Sequence, residues 1–397
     1  MAERLYNTAK CIHNISVNFL SLKENVMQTQ FNFFMPAEIL SGKDIVKNSE
    51  NVFSSFGKKC LIVTGKSSAE KCGALADVTF ALEKAEIEYS VFNKITENPL
   101  TVTCFEGGKI AREFGADFVI GIGGGSPLDS AKAICVYAAN SHIVNDGIYT
   151  EEIKNPPLPL VLIGTTAGTS SEVSGVSVLT RENGRKQSVS GKNYYAKYVL
   201  ADPKYTYSLP SSVTVSTALD AFAHAVESYF SKKHDFLSRR FSCLAVSEIV
   251  PFLSKFINPD FTLTEAERDA LYFASLYAGF ALNKGGTCFP HGMGYALTED
   301  YGVPHGMACA VFIPTFLKEA KKGDPDGFAE IIKACRISEN ELFKLLDSLC
   351  KADITIPIEK IEEYRVRWMT LKNFKNSPTD FCADDGASLV YNLFGEQ

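Results

Sequence analysis

The chain has 397 residues, a formal net charge of −6, 46% hydrophobic residues and 11 cysteines. This length allows two domains with a core each, and the acidic balance gives no basic surface for nucleic acids or acidic membranes. No C-x-x-C spacing and no apolar run of membrane-spanning length occurs, which argues against a disulfide framework, a thiolate zinc cluster and a membrane span. These properties predict a globular protein of the reducing cytoplasm.

Residues 1–27 are predicted to be a non-essential N-terminal extension, because they show neither the strand and helix patterns of the rest nor a secretory cleavage site. A coding-level clue points the same way. Lys23-Glu24 can be encoded as AAGGAG, a purine-rich ribosome-binding sequence, at a suitable distance upstream of the Met27 codon. We therefore expect residues 1–26 to be a translated leader. The alternative is a genuine extension that packs on a partner subunit.

The segment from residue 28 to residue 210 alternates short apolar runs with helical patterns. Strands are predicted at 59–65, 88–92, 117–123, 158–164 and 198–203, and helices at 68–86, 102–114 and 127–139. Nearly continuous apolar strands that alternate with helices predict a parallel sheet covered by helices on both faces. The pattern at 176–190 predicts a β-hairpin with Asn183-Gly184 at its turn. Residues 28–210 are therefore predicted to form an α/β domain.

Beyond residue 210 the strand patterns nearly vanish, and residues 211–397 are predicted to form an all-α domain. Helix boundaries are indicated by two capping-box pairs and a double glycine: Thr264 with Glu267, Ser338 with Glu341, and Gly285-Gly286. A ligand site formed by two such domains is expected to face the cleft between them.

A glycine-rich turn follows the predicted strand at 117–123 and opens the next helix. Gly123–Gly125 lack β-carbons, so backbone N–H groups can approach an anion closely. Ser126 is predicted to be the helix N-cap, with Asp129 completing an S-x-x-D capping box. The spacing matches neither the Rossmann nor the P-loop pattern, and a simple strand-to-helix turn is the alternative. Because three glycines precede a helix start, we predict a phosphate site here.

A second polar cluster follows the predicted strand at 158–164, where hydroxyl side chains are frequent in the segment 165–172. The carboxyl ends of parallel strands meet at one edge of a sheet, so both polar turns are expected at the edge where ligands bind. Hydroxyl groups there can reach the rest of a dinucleotide. The predicted cofactor-binding residues are Gly65, Lys66, Ser67, Asn98, Gly123, Gly124, Gly125, Ser126, Asp129, Thr165, Thr166, Thr169 and Lys186.

Four of the six histidines fall between residues 217 and 305, and three of them, His224, His291 and His305, are candidate ligands together with a carboxylate. Asp220 and His224 are four residues apart, so a helix would project both from the same face. His291 and His305 each follow a proline and precede a glycine, which suits an imidazole aimed into a site. One carboxylate and three imidazoles can fill four positions around a divalent transition metal such as iron or zinc. A local hydrogen bond between Asp220 and His224 is the alternative interpretation.

These features, in this order, resemble the iron-containing (group III) alcohol dehydrogenases. The resemblance begins at about residue 30 and rests on GGGSPLDSAK (123–132), TTAGTSSE (165–172), ADP-x-x-x-x-SLP (201–210), DAFAHAVESY (220–229) and HGMACA (305–310). It implies a Rossmann-like, dehydroquinate synthase-like α/β domain that binds the nicotinamide cofactor, and a helical domain that holds one divalent metal. Carried over by motif, the metal ligands are Asp220, His224, His291 and His305.

The resemblance also implies metal-dependent hydride transfer between NAD(P)H and a small aldehyde or primary alcohol. It assigns catalysis to the four metal ligands and to Tyr295. Many family members carry a histidine at the position of Tyr295, whereas the NADP-linked subgroup of 1,3-propanediol and butanol dehydrogenases has Gly-Tyr there. We expect Tyr295 to line the pocket; a proton relay to solvent is the alternative.

Iron is the expected metal, with zinc as the alternative, and NADP(H) is expected to be preferred over NAD(H). In dinucleotide-binding sheets an acidic residue after an early strand binds the ribose hydroxyls and repels a 2′-phosphate. Here Gly65 stands where NAD-linked relatives often carry Asp, and Lys66-Ser67 follow it. These residues leave room and positive charge for the phosphate. A plain helix start with dual coenzyme use is the alternative.

Three other functions fit the same architecture: a glycerol or polyol dehydrogenase, a dehydroquinate synthase-like lyase, and a cofactor-binding sensor without activity. The lyase would need a basic phosphate-binding cluster near the histidines, and the sequence shows none there. A complete set of four metal ligands argues against the sensor. We expect a homodimer or larger homo-oligomer with a small-molecule substrate and with no nucleic-acid or membrane partner.

Overall fold

A six-stranded parallel sheet forms the centre of the first half of the chain in the computed structural model, which describes residues 31–396. The strands are β1 (Glu38–Ser41), β2 (Lys59–Gly65), β3 (Glu88–Ile95), β4 (Phe118–Gly123), β5 (Leu160–Gly164), β6 (Val176–Thr180), β7 (Lys186–Ser190) and β8 (Tyr198–Ala201). Across the sheet the order is β1-β8-β5-β4-β2-β3, while β6 and β7 pair separately. The predicted extension at residues 1–27 lies outside the described residues.

Sixteen α-helices occur in residues 31–396 and are numbered in chain order. They are α1 (Glu50–Ser54), α2 (Ser68–Lys71), α3 (Ala74–Lys84), α4 (Thr101–Phe114), α5 (Gly125–Ala139), α6 (Ser211–Phe230), α7 (Phe236–Phe256), α8 (Glu265–Gly285), α9 (Phe289–Tyr301), α10 (His305–Ala310), α11 (Ile313–Gly323), α12 (Pro325–Cys335), α13 (Glu339–Leu349), α14 (Ile358–Trp368), α15 (Lys372–Lys375) and α16 (Ala383–Phe394).

The two central strands explain why the sequence predicts a parallel sheet. β4 and β5 are buried along their whole length, so neither face selects polar residues. They pair in parallel from Val119 with Leu160 to Gly123 with Gly164. Because both strands end at the same edge of the sheet, the two polar turns that follow them lie side by side.

Two features of this half differ from the prediction. The helix predicted at 68–86 is two helices, α2 and α3, because Gly73 between them adopts a left-handed φ of 84°. Strand β1 was not predicted at all. Its four residues mix polar and apolar side chains and lie at the edge of the sheet, where burial is only partial.

The predicted hairpin is confirmed. β6 and β7 pair in antiparallel register, with Thr180 opposite Lys186, and Gly184 at the turn has a left-handed φ of 80°. The N–H of Thr180 donates to the carbonyl of Pro99 over 2.7 Å. The hairpin is thereby tied to the loop that follows β3.

The helical character of the second half is confirmed. Within residues 31–396 no strand follows β8, and the β-bridge found there joins Ile356 and Gly395. Thr264 and Ser338 form the two predicted capping boxes, and Gly286 ends α8 with a φ of 66°. No helix among the described residues has both the length and the apolar character needed to cross a membrane.

The two halves of the chain pack directly against each other. One hydrophobic core includes side chains of α5 and β5 as well as side chains of α6 to α16, whereas a second, smaller core lies within the α/β half. Polar contacts also join the halves: the Asn283 side chain on α8 donates to the carbonyl of Val173 over 2.7 Å. The carboxyl edge of the sheet therefore faces the helices that carry the predicted metal ligands.

Candidate metal centre and cofactor cleft

Helix α6 presents three acidic or imidazole side chains on one buried face. Asp220, His224 and Glu227 are spaced four and then three residues apart, which places them in one row along the helix. All three are buried, and Glu227 is completely inaccessible. Such a row of polar groups in the core requires partners on the neighbouring helices.

The other two predicted ligands reach the same place from the starts of α9 and α10. His291 lies with its Nε2 atom 3.5 Å from Oδ1 of Asp220, and His224 Nε2 lies 4.0 Å from the same oxygen. The rings of His224 and His291 stack with centroids 4.5 Å apart, and the His305 ring lies 5.5 Å from that of His291. The structure thus brings all four predicted ligands together.

Glu227 orients the central imidazole. Its Oε1 atom accepts a hydrogen bond from Nδ1 of His291 over 2.5 Å, and its Oε2 atom accepts the N–H of Cys288 over 2.7 Å. The proton on Nδ1 leaves Nε2 as the atom that faces Asp220. Carboxylate partners of this kind fix the tautomer of metal-binding histidines.

The buried polar atoms at the centre of the cluster lack other partners. Oδ1 of Asp220, Nε2 of His291 and Nδ1 of His224 make no hydrogen bond within the described part of the chain. The 3.5 Å between the first two exceeds the about 2.7–2.9 Å of a charge-assisted hydrogen bond. It matches instead the separation of about 3.4 Å expected for two ligands of one tetrahedral metal ion. The residues present therefore fit a divalent cation.

The protonation states of these groups favour the same conclusion. Burial alone would raise the pKa of Asp220, but His224 and His291 lower it below its usual range. Burial lowers the pKa of His224 to about 4 and that of His305 to about 3. Burial also acts to lower the pKa of His291, yet Cys309, Glu227 and Asp220 raise it well above its usual value. The centre therefore attracts positive charge between its carboxylates, as either a proton or a metal ion.

A thiol stands next to these ligands. The Sγ atom of Cys309 lies 3.8 Å from both ring nitrogens of His305, one helical turn earlier on α10. Cys288, which is closer in sequence to His291, instead directs its sulfur at the carbonyls of Glu227 and Asn376. The Cys288 sulfur is therefore directed away from the cluster, which includes Cys309 instead.

Tyr295 and Lys186 stand on one side of the predicted ligands, next to His305. The Tyr295 ring stacks on His305 at 5.5 Å with an interplanar angle of 12°, and the ammonium group of Lys186 lies 5.6 Å from the Tyr295 ring. Burial lowers the pKa of Lys186 and raises that of Tyr295 to about 12. Lys186, from the hairpin, thus brings a cationic side chain of the α/β half to the candidate metal centre.

A buried carboxylate holds the hairpin in this position. Glu299 on α9 accepts the backbone N–H of Lys186 over 2.8 Å and a hydrogen bond from Arg185 over 3.1 Å. Arg367 on α14 donates two further bonds to the same carboxylate, at 2.6 and 2.9 Å. Because the Glu299 side chain is only 4% exposed, these charged bonds are shielded from water.

The glycine-rich turn and the threonine-rich turn are in contact. The carbonyl of Gly123 accepts the N–H of Thr165 over 2.9 Å. A β-carbon on Gly124 would lie 3.1 Å from Thr166, and one on Gly125 would lie 3.0 Å from Thr169. Larger residues at these glycines would therefore press against the threonines, and the two turns form one surface at the start of α5.

The predicted capping of α5 by Ser126 was wrong. The helix begins at Gly125, with Gly124 at the N-cap position, so Ser126 lies inside the first turn. Asp129 does not complete a capping box either. Its carboxylate accepts hydrogen bonds from Ser171 and from the N–H of Val178, and it pairs with the fully buried Lys132. Asp129 therefore joins α5 to Ser171 and Val178 by hydrogen bonds instead of capping the helix.

The remaining predicted cofactor residues lie at the same edge of the sheet. Gly65 ends β2, and a β-carbon there would meet the side chain of Pro127 at 3.9 Å, next to the glycine-rich turn. Lys66 is exposed and Ser67 stands at the N-cap position of α2. Asn98, with a left-handed φ of 55°, accepts the hydroxyl of Thr180 at its carbonyl.

The sequence of the chain matches known proteins over most of its length. Residues 36–203 match the family described as iron-containing alcohol dehydrogenase, and residues 214–358 match the C-terminal part of the Fe-containing alcohol dehydrogenase family. The NAD-dependent methanol dehydrogenase of Bacillus methanolicus is 30% identical, over 71% of this chain and 74% of that protein. The chain belongs to the iron-containing alcohol dehydrogenase family.

Two further comparisons agree with this family. The NADPH-dependent butanol dehydrogenase of Clostridium saccharobutylicum is 27% identical over 80% of this chain and 81% of that protein. The crystal structure of an iron-containing alcohol dehydrogenase from Thermotoga maritima has a TM-score of 0.84 and 32% identity, covering 92% of this chain and 99% of that one. The present iron-containing alcohol dehydrogenase is therefore an oxidoreductase that acts on alcohols with a metal and a nicotinamide cofactor. The lyase and polyol alternatives are not favoured.

Two residues of this alcohol dehydrogenase centre were missed by the sequence-based assignment. Glu227 could have been found, because it continues the row of Asp220 and His224 along one helix face. Cys309 carries the same signal relative to His305, four residues earlier. A carboxylate or thiol one helical turn from a predicted ligand is thus a candidate for a further residue of the same centre.

Proposed function

We propose that this enzyme interconverts small aldehydes and primary alcohols, with NADP(H) as the preferred coenzyme. In this proposal Asp220, His224, His291 and His305 hold one divalent metal, which is iron in the cell, with zinc as the alternative. The observation that carries the proposal is the 3.5 Å approach of Asp220 Oδ1 to His291 Nε2, both buried and otherwise unpartnered in residues 31–396. A cation between these atoms would compensate the charge of the carboxylate.

A divalent metal at this centre would supply Lewis-acid polarisation of the substrate oxygen. Residues of the chain would bind the cofactor and form the substrate pocket. The glycine-rich turn offers backbone N–H groups to the cofactor phosphates at the start of α5. Lys186 supplies positive charge on the cofactor side of the centre, and Tyr295 forms a wall of the substrate pocket beside His305. The hairpin and the packed helices limit access of water to the reacting atoms.

We also propose a functional division near residue 210. In this division residues 28–210 bind the coenzyme and residues 211–397 bind the metal. Support comes from the element order, because the last strand, β8, ends at Ala201 and α6 begins at Ser211. The substrate would then react in the cleft, where Lys186 of the first part approaches Tyr295 of the second.

The test of this function begins with protein purified anaerobically and analysed for metal content. We expect one equivalent of iron or zinc per protein chain. We also expect this protein to oxidise NADPH when small aldehydes are added. Polyols, alcohols and both coenzymes complete the assay panel. Stoichiometric metal without net coenzyme turnover on any aldehyde or alcohol would contradict the proposal.

Replacement of Glu227 by glutamine is expected to weaken zinc binding about 10–100-fold, as measured by competition with a chelator. The amide keeps the volume of the side chain but loses the charge that holds the proton on Nδ1 of His291. Glu248→Gln, on the adjacent helix α7, is the matched control and should leave the affinity unchanged. An unaltered zinc affinity in Glu227→Gln would show that this carboxylate does not orient the ligand.

A further inference from the structure

The most compact group of metal-binding atoms in the structure is not the predicted one. Among the described residues, ligand atoms of Asp220, His291, His305 and Cys309 all lie within 4.8 Å of one another. His224 is absent from this compact group, although it stacks on His291. The thiol of Cys309 therefore occupies the fourth position of the most compact set.

The helix geometry determines the position of the Cys309 side chain. His305 and Cys309 are four residues apart on α10, so both side chains leave the helix on one face. Cys309 is completely buried, and its sulfur lies 3.8 Å from the ring nitrogens of His305. The unpartnered atoms Asp220 Oδ1 and His291 Nε2 face the same space. The thiol is thus one of several groups directed at a single point.

The distances agree with a tetrahedral zinc ion. With zinc–sulfur bonds of about 2.3 Å and zinc–nitrogen bonds of about 2.0–2.1 Å, neighbouring ligand atoms lie about 3.4–3.6 Å apart. The separations found are 3.5 Å for Asp220 and His291, and 3.8 Å for His305 and Cys309. These two separations lie within a few tenths of an ångström of the values expected for neighbouring zinc ligands, and the other ligand atoms of the group lie within 4.8 Å of one another.

We propose that, when zinc is bound, the thiolate of Cys309 takes the place of His224 as the fourth ligand beside Asp220, His291 and His305. This ligand makes the enzyme hold zinc more tightly, relative to iron, than the aspartate and imidazoles alone would. As the zinc–sulfur bond forms, the thiol releases its proton to solvent. Thiolates favour zinc over the harder ferrous ion, so the residue acts as a determinant of metal selectivity. The inference rests on the proposed function, because it concerns the same metal.

The first test uses the unmodified enzyme. Zinc-loaded protein is analysed by X-ray absorption at the zinc edge, and cobalt-loaded protein is examined for thiolate-to-cobalt charge transfer in the near ultraviolet. One sulfur neighbour and a clear charge-transfer band are expected. A bound metal with only nitrogen and oxygen neighbours would overturn the inference and leave the proposed function intact. Failure of the protein to bind any stoichiometric metal would instead overturn the proposed function.

The second test identifies the sulfur. In Cys309→Ala the charge-transfer band should disappear, and in Cys309→Ser the zinc affinity should fall about 10–100-fold while the ferrous affinity changes less. Cys335→Ala is the control, because Cys335 is also buried but lies on α12, outside the cluster. A band that persists in Cys309→Ala, or equal losses of zinc and iron affinity in Cys309→Ser, would contradict the assignment.

Discussion

Replacement of His305 by alanine is expected to lower turnover at least about a thousandfold, because the loss of Lewis-acid catalysis removes several kcal/mol of transition-state stabilisation. Of the four proposed ligands, His305 is the one that is only partly buried, and its ring stacks on that of Tyr295. Coenzyme binding should remain largely intact, because the glycine-rich turn lies on the other half of the chain. The measurements are kcat with a small aldehyde, metal content, and coenzyme affinity by fluorescence titration.

His142 provides the matched control for this substitution. It is exposed, and its Nε2 atom contacts the carbonyl of Glu152 at 3.0 Å, away from the metal centre. His142→Ala should therefore retain both metal and activity. Full activity in metal-stripped His305→Ala protein would rule out the metal-dependent mechanism. Loss of coenzyme binding together with turnover would indicate a structural role for His305.

The coenzyme preference should be reversed by a single carboxylate at the end of β2. The unmodified enzyme is expected to have a higher kcat/KM with NADPH than with NADH, and Gly65→Asp should lower the NADPH value about 10–100-fold. An aspartate there would repel the 2′-phosphate and bind the ribose hydroxyls. The substitution should be tolerated, because a β-carbon at Gly65 would lie 3.4 Å or more from any neighbouring heavy atom.

Gly65→Asn separates charge from size in this experiment. Asparagine has nearly the same volume as aspartate but carries no charge, so it should lower kcat/KM with NADPH much less. A higher kcat/KM with NADH than with NADPH in the unmodified enzyme would overturn the assigned preference. Equal effects of Asn and Asp would show that steric hindrance, not charge, acts at this position.

Much of the fold could be predicted because burial leaves a direct trace in the sequence. β4 and β5 have no exposed face, so their apolar runs mark them, and the capping boxes at Thr264 and Ser338 mark helix starts by local hydrogen bonds. Edge strand β1 carries neither signal, since half-exposed residues tolerate polar and apolar side chains alike. The break at Gly73 depends on one backbone angle, which composition does not reveal.

The proposed metal ligands could be assigned from the sequence for a different reason. Their residue types are rare in a buried helix, and the family pattern places them at fixed spacings. Asp129 shows the limit of such arguments, because its local spacing suits a capping box while tertiary contacts with Ser171 and Val178 determine where its carboxylate points. Hydrogen bonds formed across tens of residues in sequence leave no periodic trace, so the role of Asp129 became apparent only in the folded chain.

The hydrogen bonds of Glu299 have a consequence for the catalytic cycle. This one carboxylate joins the hairpin to α9 and α14, so in the proposed mode of binding the coenzyme would not gain a wider exit on that side while Arg185 and Lys186 remain bound to Glu299. Opening would require the separation of shielded charges, a slow step compared with loop motion. Residues such as Arg367, which lie outside the reaction site, would thereby influence how long the spent coenzyme stays bound. The pace of the cycle would then depend on the exchange of coenzyme as well as on hydride transfer.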